Sequence, residues 1–426
     1  MKILIVNWAW YPTGGDWTYI ENLKRLYEEK GHEVIALSTQ NPLNVKGNGN
    51  DYFIKSNNFK LLNENKTIIN SLKVVKNSII SSEALKRIDL ILKEHDIKLA
   101  HLHNIHNYIT PSIIWKLKKK GIKIVWTLHD YKIICPENSF VSNGKVCEKC
   151  ITGNFYHCAT NKCKKNSYAA SFLAAVDAYV YHATNTYNKT DMLLCPSEFL
   201  LNKFKQFGFD ESKLFLTNYC YDIGLIDNFL NRSVIASKNS GGSAIKNKGD
   251  YILYVGRVEV IKGVKTLIDA VKGTHLKLKI AGSGTEIDNL INYIKVEDIR
   301  NVEFLGFQNK DSVFDLTLNS KFVVCPSEWY ENFPFSITES FLFSKPVVGA
   351  NIGGIPELVR DGETGYLFEA GNAGDLREKL FKLWNNDLMV EQMGKNARNH
   401  AVNIFNFETH WKKLNTVLTN LNLNDN

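Results

Sequence analysis

Short apolar runs alternate with amphipathic stretches from the first residues of the chain onward. Apolar runs of about four to eight residues predict buried strands, and stretches with an apolar residue at every third or fourth position predict helices. In the first half of the chain the predicted strands are Ile3–Asn7, Glu33–Ser38, Lys98–His103, Lys123–His129 and Met192–Pro196, with an edge strand at Leu214–Asn218, and the predicted helices are Asp16–Lys30 and Pro111–Lys120. This alternation is typical of parallel sheets covered by helices.

The pattern restarts after a polar stretch, 231–250, which contains Ser240-Gly241-Gly242-Ser243 as a linker would. The second set of strands is predicted at Tyr251–Val255, Lys277–Ala281, Val302–Leu305, Phe322–Cys325 and Pro346–Gly349, and the helices at Val264–Val271, Glu286–Lys295, Phe335–Phe343 and Ala373–Asn385. The chain is therefore predicted to form two doubly wound α/β domains, 1–222 and 251–400, with a linker at 223–250 and a C-terminal helix within 401–426 that packs back on the first domain. Because such sheets bind ligands at the carboxyl ends of their strands, we expect a central cleft that both domains face.

Length and composition exclude several other classes of protein. A chain of 426 residues suits two domains, and 44% hydrophobic with 23% charged residues excludes a disordered or fibrous chain. No apolar run approaches the roughly 20 residues that a membrane span requires. The apolar stretch within Met1–Asn7 is too short for a signal peptide and suits a strand. We therefore expect a cytoplasmic protein.

The net charge of +8 is spread unevenly along the chain. The residues up to Asp222 contain 29 Lys and Arg against 20 Asp and Glu, and the remainder contains 23 against 24. The basic first half is either a solvated surface or a face that contacts anionic lipid or an anionic acceptor, so peripheral membrane contact through the N-terminal domain is one expectation. No nucleic-acid-binding motif is recognisable, and nucleic acid is not an expected partner.

Two strand-to-helix turns in the second half suit the binding of a diphosphate. Gly256-Arg257 follows a predicted strand, and Lys262-Gly263 opens the next helix. Arginine binds a phosphate bidentately, whereas lysine acts as a point charge. Gly282 and Gly284 follow the next strand, where the lack of a side chain lets a ligand approach the backbone. Each motif alone is weak, because glycine-rich turns of this kind are usually only turns.

The segment Trp329–Glu339 is more specific, since it carries two glutamates eight positions apart. Pro334 stands where a helix can begin, which predicts Glu331 in the preceding loop and Glu339 within the helix. Amides at the helix start favour negative charge such as that of phosphates. A carboxylate in the loop suits sugar hydroxyls, and one in the helix suits a ribose diol. The alternative, a solvent-facing pair of glutamates, fits poorly beside the apolar neighbours of this segment.

Together these motifs resemble those of glycosyltransferase family four. The motifs follow one another in the order seen in that family. First come the turns with Arg257 and Lys262, then the Glu331/Glu339 pair, and then two glycine motifs, which are Gly353-Gly354-Ile355-Pro356-Glu357 and Gly362 with Gly365. Gly14-Gly15 after the first strand extends the resemblance over essentially the whole chain. The resemblance implies the GT-B fold of two Rossmann-like domains, a retaining reaction and no catalytic metal.

The resemblance also implies roles for single residues. Arg257 and Lys262 would neutralise the diphosphate, Glu331 would hold the donor sugar, Glu339 would hold the ribose, and His129 would contact the transferred sugar. The further donor-binding positions that the resemblance implies are Gly14, Gly15, Gly256, Gly282, Gly284, Phe307, Gln308, Asn332, Phe333, Pro334, Phe335 and Ser336. The bulky residues at 332–335 replace the small residues that often follow the first glutamate, which leaves the donor sugar open.

Three histidines, His101, His103 and His106, end the strand that precedes the His129 strand and look like a metal cluster at first sight. The family has no metal at this position, so we interpret them as residues that line the cleft. A histidine at a strand end is also often a structural residue, and this alternative applies to His129 as well.

Five cysteines lie close together after His129, in a polar insert at 131–167. Their spacing, C-x2-C at Cys147 and Cys150 and C-x4-C at Cys158 and Cys163, favours a structural zinc site over disulfides in a cytoplasmic protein. Cys135 is the alternative ligand, and reduced structural thiols are the alternative to a metal. Similar inserts occur among bacterial members of the resembled family.

These features predict an enzyme that transfers a sugar from a UDP- or GDP-sugar to a glycan or lipid-linked acceptor, with retention. We expect a role in bacterial surface polysaccharide synthesis (capsule, lipopolysaccharide or exopolysaccharide) at the cytosolic face of the membrane. The alternatives are a nucleotide-sugar epimerase of the same fold and a catalytically silent nucleotide-sugar-binding protein. No cofactor is expected for catalysis, and zinc would be structural.

Overall fold

A computed structural model describes residues 1–47, 49–55, 76–106, 108–239 and 249–423. The chain divides into two compact units: unit 1 comprises Met1–Asn143, Cys147–Cys220 and His410–Asn426, and unit 2 comprises Gly144–Val146 and Tyr221–Thr409. Each unit contains a six-stranded sheet in which all described strand pairs are parallel.

The sheet of unit 1 consists of β1 (Lys2–Val6), β2 (Glu33–Leu37), β3 (Ile97–Leu102), β4 (Lys123–Thr127), β7 (Met192–Cys195) and β8 (Leu214–Leu216), in the order β2-β1-β3-β4-β7-β8. The interior strand β1, between β2 and β3, is apolar almost throughout, and its residues Ile3 to Val6 are completely shielded from solvent. Such continuous burial is expected where both faces of a parallel sheet are covered.

The helices of unit 1 ahead of the C-terminal segment are α1 (Gly15–Glu29), α2 (Ser82–Glu94), α3 (Ser112–Lys119), α4 (Tyr156–Thr160), α5 (Tyr168–Ala183) and α6 (Glu198–Phe207). Helix α1 buries Trp17, Ile20, Leu23 and Tyr27, whose spacing of three and four residues places them on one face. Serine side chains cap α2, α5 and α6 by accepting an amide hydrogen of the first turn.

The cysteine-rich insert follows β4 and contains a two-stranded ribbon, β5 (Val141–Ser142) and β6 (Lys145–Val146), ahead of α4 and α5. The ribbon turns at Asn143 (φ 52°) and Gly144 (φ 74°), where positive φ at both residues matches the right-handed twist of the strands. Helix α5 buries an alanine-rich face, whereas Tyr168, Phe172 and Tyr179 are exposed.

The sheet of unit 2 consists of β9 (Ile252–Val255), β10 (Leu278–Ala281), β11 (Val302–Gly306), β12 (Phe322–Cys325), β13 (Val347–Ala350) and β14 (Gly365–Phe368), in the order β11-β10-β9-β12-β13-β14. The remaining helices are α7 (Ile223–Asn239), α8 (Val264–Val271), α9 (Ile287–Val296), α10 (Lys310–Asn319), α11 (Phe335–Leu342), α12 (Ile355–Leu358), α13 (Ala373–Trp384), α14 (Asp387–Ile404) and α15 (Phe407–Asn420). From His410 onward α15 belongs to unit 1, where His410 Nε2 and Tyr19 Oη are 3.2 Å apart and Lys413 Nζ donates to Asn218 Oδ1.

The predicted strands and helices are all present, with ends that differ by one or two residues. The predicted linker at 223–250 is wrong in its first part, because residues 223–239 form α7. Ile226 and Phe229 of this helix are buried, and the Phe229 ring lies edge-on to Phe314 at 5.3 Å between centroids. The Ser240–Ser243 segment lies outside the described residues. Among the helices of the described part, none is long and apolar enough to cross a membrane.

Candidate functional site

Three donors converge on one oxygen of Glu331 in the loop between β12 and α11. Lys262 Nζ lies 2.6 Å from Glu331 Oε1, Ser327 Oγ donates to the same oxygen at 2.6 Å, and Trp329 Nε1 donates at 2.9 Å. The Lys262 ammonium also lies 4.8 Å from the centroid of the Trp329 ring, within the range of a cation–π contact. The side chains of Lys262 and Glu331 are only 15% and 9% exposed, so the ion pair is largely removed from water.

These contacts keep Glu331 ionised despite its burial. Burial alone would raise the pKa of this carboxyl, but the Lys262 charge and the hydrogen bonds from Lys262, Ser327 and Trp329 outweigh it and lower the pKa. The loop thus holds a fixed carboxylate beside a fixed ammonium. Such a pair can bind the hydroxyl donors of a sugar and the oxygens of a phosphate side by side.

Arg257 is placed differently from Lys262, although both were predicted to face a diphosphate. Its side chain is 61% exposed, and its guanidinium pairs with Glu259 Oε1 at 3.0 Å. Tyr254 Oη donates to the Arg257 carbonyl at 2.6 Å and so fixes the backbone of this turn rather than the side chain. The Arg257 side chain is therefore available to move toward a ligand, whereas Lys262 is already held in place.

Helix α11 begins at Phe335 directly after Pro334, which has no side-chain acceptor to cap the helix amides. Glu331 lies in the loop and Glu339 in the helix, as the sequence predicted. Tyr221 Oη donates to Glu339 Oε1 at 2.9 Å. Burial raises the pKa of Glu339, and the Tyr221 hydrogen bond and the Lys310 charge oppose this rise without cancelling it. The two glutamates therefore differ in their electrostatic environment.

The glycine turns after β9 and β10 pack against each other. A Cβ atom at Gly282 would lie 1.8 Å from the Gly256 carbonyl oxygen, and one at Gly284 would lie 2.1 Å from the carbonyl oxygen of Val258. Glycine is thus required here by the contact between the two turns, whatever ligand they bind. The adjoining turn after β11 exposes the Phe307 ring, while Gln308 Nε2 donates to the Leu305 carbonyl at 2.7 Å.

In unit 1, His129 follows β4 and is held between two side chains. His103 Nδ1 lies 2.9 Å from His129 Nε2, and Tyr219 Oη lies 2.6 Å from His129 Nδ1. His103 Nε2 is buried and has no hydrogen-bond partner among the described residues. A proton on Nδ1 of His103 therefore has an acceptor, whereas a proton on Nε2 would have none.

This arrangement fixes the tautomer of His129. With His103 donating to its Nε2, a neutral His129 carries its proton on Nδ1 and donates to Tyr219. Burial lowers the pKa of His129 to about 4, against the opposite effect of Asp16. His129 is accordingly a neutral ring whose two nitrogens are both engaged within unit 1. Its predicted contact with a transferred sugar remains a prediction.

The other two histidines of the predicted cleft lining have separate partners. His101 lies between Tyr27 Oη at 2.9 Å and Thr127 Oγ1 at 2.8 Å, and His106 Nε2 lies 3.4 Å from Tyr187 Oη. Burial lowers the pKa of His101 to about 3. Within the described ranges, no three or more His, Cys, Asp or Glu side chains are arranged as metal ligands. The first-sight interpretation of His101, His103 and His106 as a metal cluster is therefore not supported.

Two family models match successive parts of the chain. The model described as Glycosyltransferase Family 4 matches residues 13–218, and the model described as Glycosyl transferases group 1 matches residues 236–400. Together they cover most of the chain. This chain belongs to glycosyltransferase family 4.

Individual relatives agree with this assignment. An uncharacterized glycosyltransferase of Methanocaldococcus jannaschii is 29% identical over 237 residues, which are 55% of this chain and 59% of that protein. The capsular polysaccharide biosynthesis glycosyltransferase CapM of Staphylococcus aureus is 30% identical over 179 residues, 40% of this chain and 46% of that protein. The chain spans about half the length of these curated relatives. This glycosyltransferase is thus related to enzymes of polysaccharide synthesis.

The fold is that of solved GT-B glycosyltransferases. The structure of Anabaena HepE in complex with UDP and glucose superimposes with a TM-score of 0.67 at 18% identity and covers 99% of this chain and 100% of that one. At this level of identity the likeness concerns the fold, which is the predicted pair of Rossmann-like units with parallel sheets.

The predicted donor-site residues of this glycosyltransferase lie in both units. Lys262 and Glu331 are in direct contact, whereas the predicted positions Gly14 and Gly15, at the start of α1, and His129 belong to unit 1. Among the other predicted positions, Asn332 and Phe333 are buried beside Glu331.

Sequence reasoning did not identify Ser327, Trp329 and Tyr221 as partners of the glutamates. Nor did it identify His103 and Tyr219 as partners of His129. The alternation Ser327-x-Trp329-x-Glu331 was the available signal for the serine and the tryptophan. Tyr221 lies 118 positions from its partner Glu339, so no local signal existed.

Proposed function

We propose that this glycosyltransferase moves a sugar from a UDP- or GDP-sugar to a glycan or lipid-linked acceptor, with retention of the anomeric configuration and without a catalytic metal. The proposed setting is bacterial surface polysaccharide synthesis in the cytoplasm, at the inner face of the membrane. The relationship to a capsular polysaccharide enzyme supports this setting.

The Lys262–Glu331 pair is the observation that carries the proposal. A buried carboxylate held in the ionised state beside a buried ammonium is unfavourable unless both charges have partners. Here Glu331 lies in the loop that leads into α11, whose first amides favour negative charge, and Lys262 reaches it from the turn before α8. A nucleoside-diphosphate sugar has the matching groups, because its sugar hydroxyls suit Glu331 and its phosphates suit Lys262 and the helix start.

The chemistry follows from where charge develops. As the bond between the anomeric carbon and the phosphate oxygen breaks, negative charge grows on the departing diphosphate. Lys262, Arg257 and the amides at the start of α11 would stabilise this charge without a divalent ion, and a single such donor is typically worth about 10²–10³ in turnover. We propose front-face transfer, in which the departing phosphate oxygen takes the acceptor proton while the acceptor oxygen bonds to the anomeric carbon.

Membrane contact is proposed for unit 1. Four aromatic side chains of α4 and α5 expose 41–62% of their surface, namely Tyr156, Tyr168, Phe172 and Tyr179. Lys162 lies 4.3 Å from the centroid of the Tyr168 ring. Aromatic rings beside lysines suit the headgroup region of an anionic bilayer. This contact would bring a lipid-linked acceptor to the enzyme.

The proposal is tested by incubating the purified full chain with a panel of UDP- and GDP-sugars and measuring nucleotide release with and without added acceptors. Release from one donor, lost in Glu331→Gln and retained in Lys265→Ala, is the expected result; Lys265 is exposed on α8 and serves as the control. Activity should survive brief exposure to a chelator.

Donor epimerisation without transfer would favour an epimerase instead. Nucleotide-sugar binding without release would favour a silent binding protein. Either result would contradict the proposed transfer.

A further inference from the structure

The five cysteines of the insert surround one small cavity in unit 1. Cys135, Cys147, Cys150, Cys158 and Cys163 all line it, together with His157, and all five are free thiols. They come from three separate pieces of backbone: the turn after β4, the segment after β6, and α4 with its following turn. Convergence of distant cysteines on one cavity is not expected of thiols that merely fill a core.

The backbone of the insert is arranged around the thiols. The Cys158 and Cys163 thiols are hydrogen-bonded to each other, and Lys162 takes a left-handed conformation (φ 50°) that returns the chain to Cys163. The Cys163 amide donates to the Cys158 carbonyl at 3.1 Å, which closes this turn. The Cys135 thiol accepts hydrogen bonds from backbone amides within 137–140.

The cysteine-bearing segments of the insert share a small apolar cluster, while Ile133, Ile134 and Phe140 are buried outside it. This apolar cluster contains Phe155, three alanines of α5, Cys150 and Cys158. Cys163 packs against it. Disulfides would join the cysteines only in pairs, whereas one tetrahedral ion joins four sulfurs at a single point.

The charge of the segment suits the same ion. Residues 131–167 contain six lysines and two glutamates. A Zn²⁺ ion with four thiolates carries a net charge of −2, which a surplus of lysines stabilises. Among the described residues no three of these thiols are arranged as metal ligands, so binding of an ion requires their side chains to rotate toward the cavity.

We propose that this cavity binds one structural zinc ion through four cysteine thiolates. Cys150, Cys158 and Cys163 provide three of them, and the fourth is Cys147 or Cys135. The ion ties the turn after β4 to α4 and α5, and it takes no part in sugar transfer. This inference does not depend on the proposed function.

The test uses the untagged full chain, purified without chelators, with zinc measured by inductively coupled plasma mass spectrometry. The expected content is about one zinc per chain, with X-ray absorption showing about four sulfur neighbours at about 2.3 Å. Cys150→Ala, Cys158→Ala and Cys163→Ala should each lose the zinc, as should at least one of Cys135→Ala and Cys147→Ala. Cys195→Ala is the matched control, because Cys195 is fully buried in β7 outside the insert.

Because a zinc-free variant can fail to fold, the wild-type chain supplies a second measurement. Modification of its thiols with a mercurial reagent should release zinc to a colorimetric indicator. Wild-type protein that contains no zinc and takes none up from an equimolar addition would overturn the proposal. Nitrogen or oxygen neighbours in place of sulfur, or retention of zinc in both Cys135→Ala and Cys147→Ala, would overturn the four-thiolate site.

Discussion

The Lys262–Glu331 ion pair should be among the strongest single polar interactions of unit 2. The Nζ and Oε1 atoms are 2.6 Å apart, and both side chains are largely buried. Removing one partner of a buried pair typically costs about 3–5 kcal/mol, because the other charge stays buried without compensation. Since Ser327 and Trp329 still donate to Glu331, we expect Lys262→Met to cost about 3 kcal/mol, at the low end of this range.

A double-mutant cycle isolates the pair. Glu331→Gln keeps an acceptor for Ser327 and Trp329 but leaves the Lys262 ammonium without its counter-charge, and it should also cost about 3 kcal/mol. The loss of unfolding free energy in the Lys262→Met/Glu331→Gln double variant should be smaller than the sum of the losses in the two single variants. The difference, which is the coupling energy of the pair, should be about 2 kcal/mol. The control is Lys265 with Asp269 on α8, which are also 2.6 Å apart but 51% and 32% exposed. That pair should show a coupling of about 0.3–0.5 kcal/mol.

The free energies would come from urea unfolding of the full chain followed by far-ultraviolet circular dichroism. The sign of the pH dependence of stability also follows, because the pKa of Glu331 is lowered in the folded chain. The ion pair therefore stabilises the fold at pH values above the ordinary pKa of glutamate. This stabilisation is lost as the pH falls through the folded-state pKa of Glu331. A coupling no larger than that of the Lys265–Asp269 pair at neutral pH would refute this account of the site.

Three further predictions follow from other contacts. Arg257→Ala should leave the free energy of unfolding within about 1 kcal/mol of wild type, because the ion pair of Arg257 is exposed. The same change should lower turnover by about 10²-fold or more in a nucleotide-release assay, and unchanged turnover would contradict the proposed role of Arg257. Tyr221→Phe should weaken nucleotide binding about 5- to 10-fold in calorimetry, since Glu339 loses the hydrogen bond that positions it; an unchanged Kd would argue against Glu339 as the ribose ligand. His101 and His410, whose pKa values burial lowers to about 3 and about 4, must stay neutral in the folded chain. Stability should therefore fall between about pH 6.5 and pH 4 by about 1.4 kcal/mol per pH unit for each such histidine, with a shallower slope in His410→Gln.

The fold was largely predictable because both sheets are built from parallel strands buried on two sides. Such strands are continuous apolar runs, as in β1 and β13, and the helices between them have a clear three- and four-residue spacing. Helix α7 escaped detection because its apolar residues, including Ile226 and Phe229, are interrupted by asparagines and followed by a glycine- and serine-rich stretch. Its partners, Phe314 and Phe343, are far away in sequence.

The candidate site was predictable only where its chemistry is local. The loop and helix positions of Glu331 and Glu339 followed from the spacing around Pro334. The partner of each glutamate did not, since Lys262 is 69 positions from Glu331 and Tyr221 is 118 positions from Glu339. Likewise the sequence gives no sign that His103 determines the tautomer of His129. These pairings depend on how β-strand ends meet in space, which a single sequence does not specify.

The anomeric configuration of the product tests the central claim most directly. The full chain would be incubated with the donor identified in the panel and an accepted acceptor, and the fresh product examined by proton NMR. We predict that the new linkage keeps the anomeric configuration of the donor sugar, with the same product formed in the presence of a chelator at short exposure. An inverted linkage would contradict the proposed front-face transfer and the leaving-group role of Lys262, Arg257 and the start of α11.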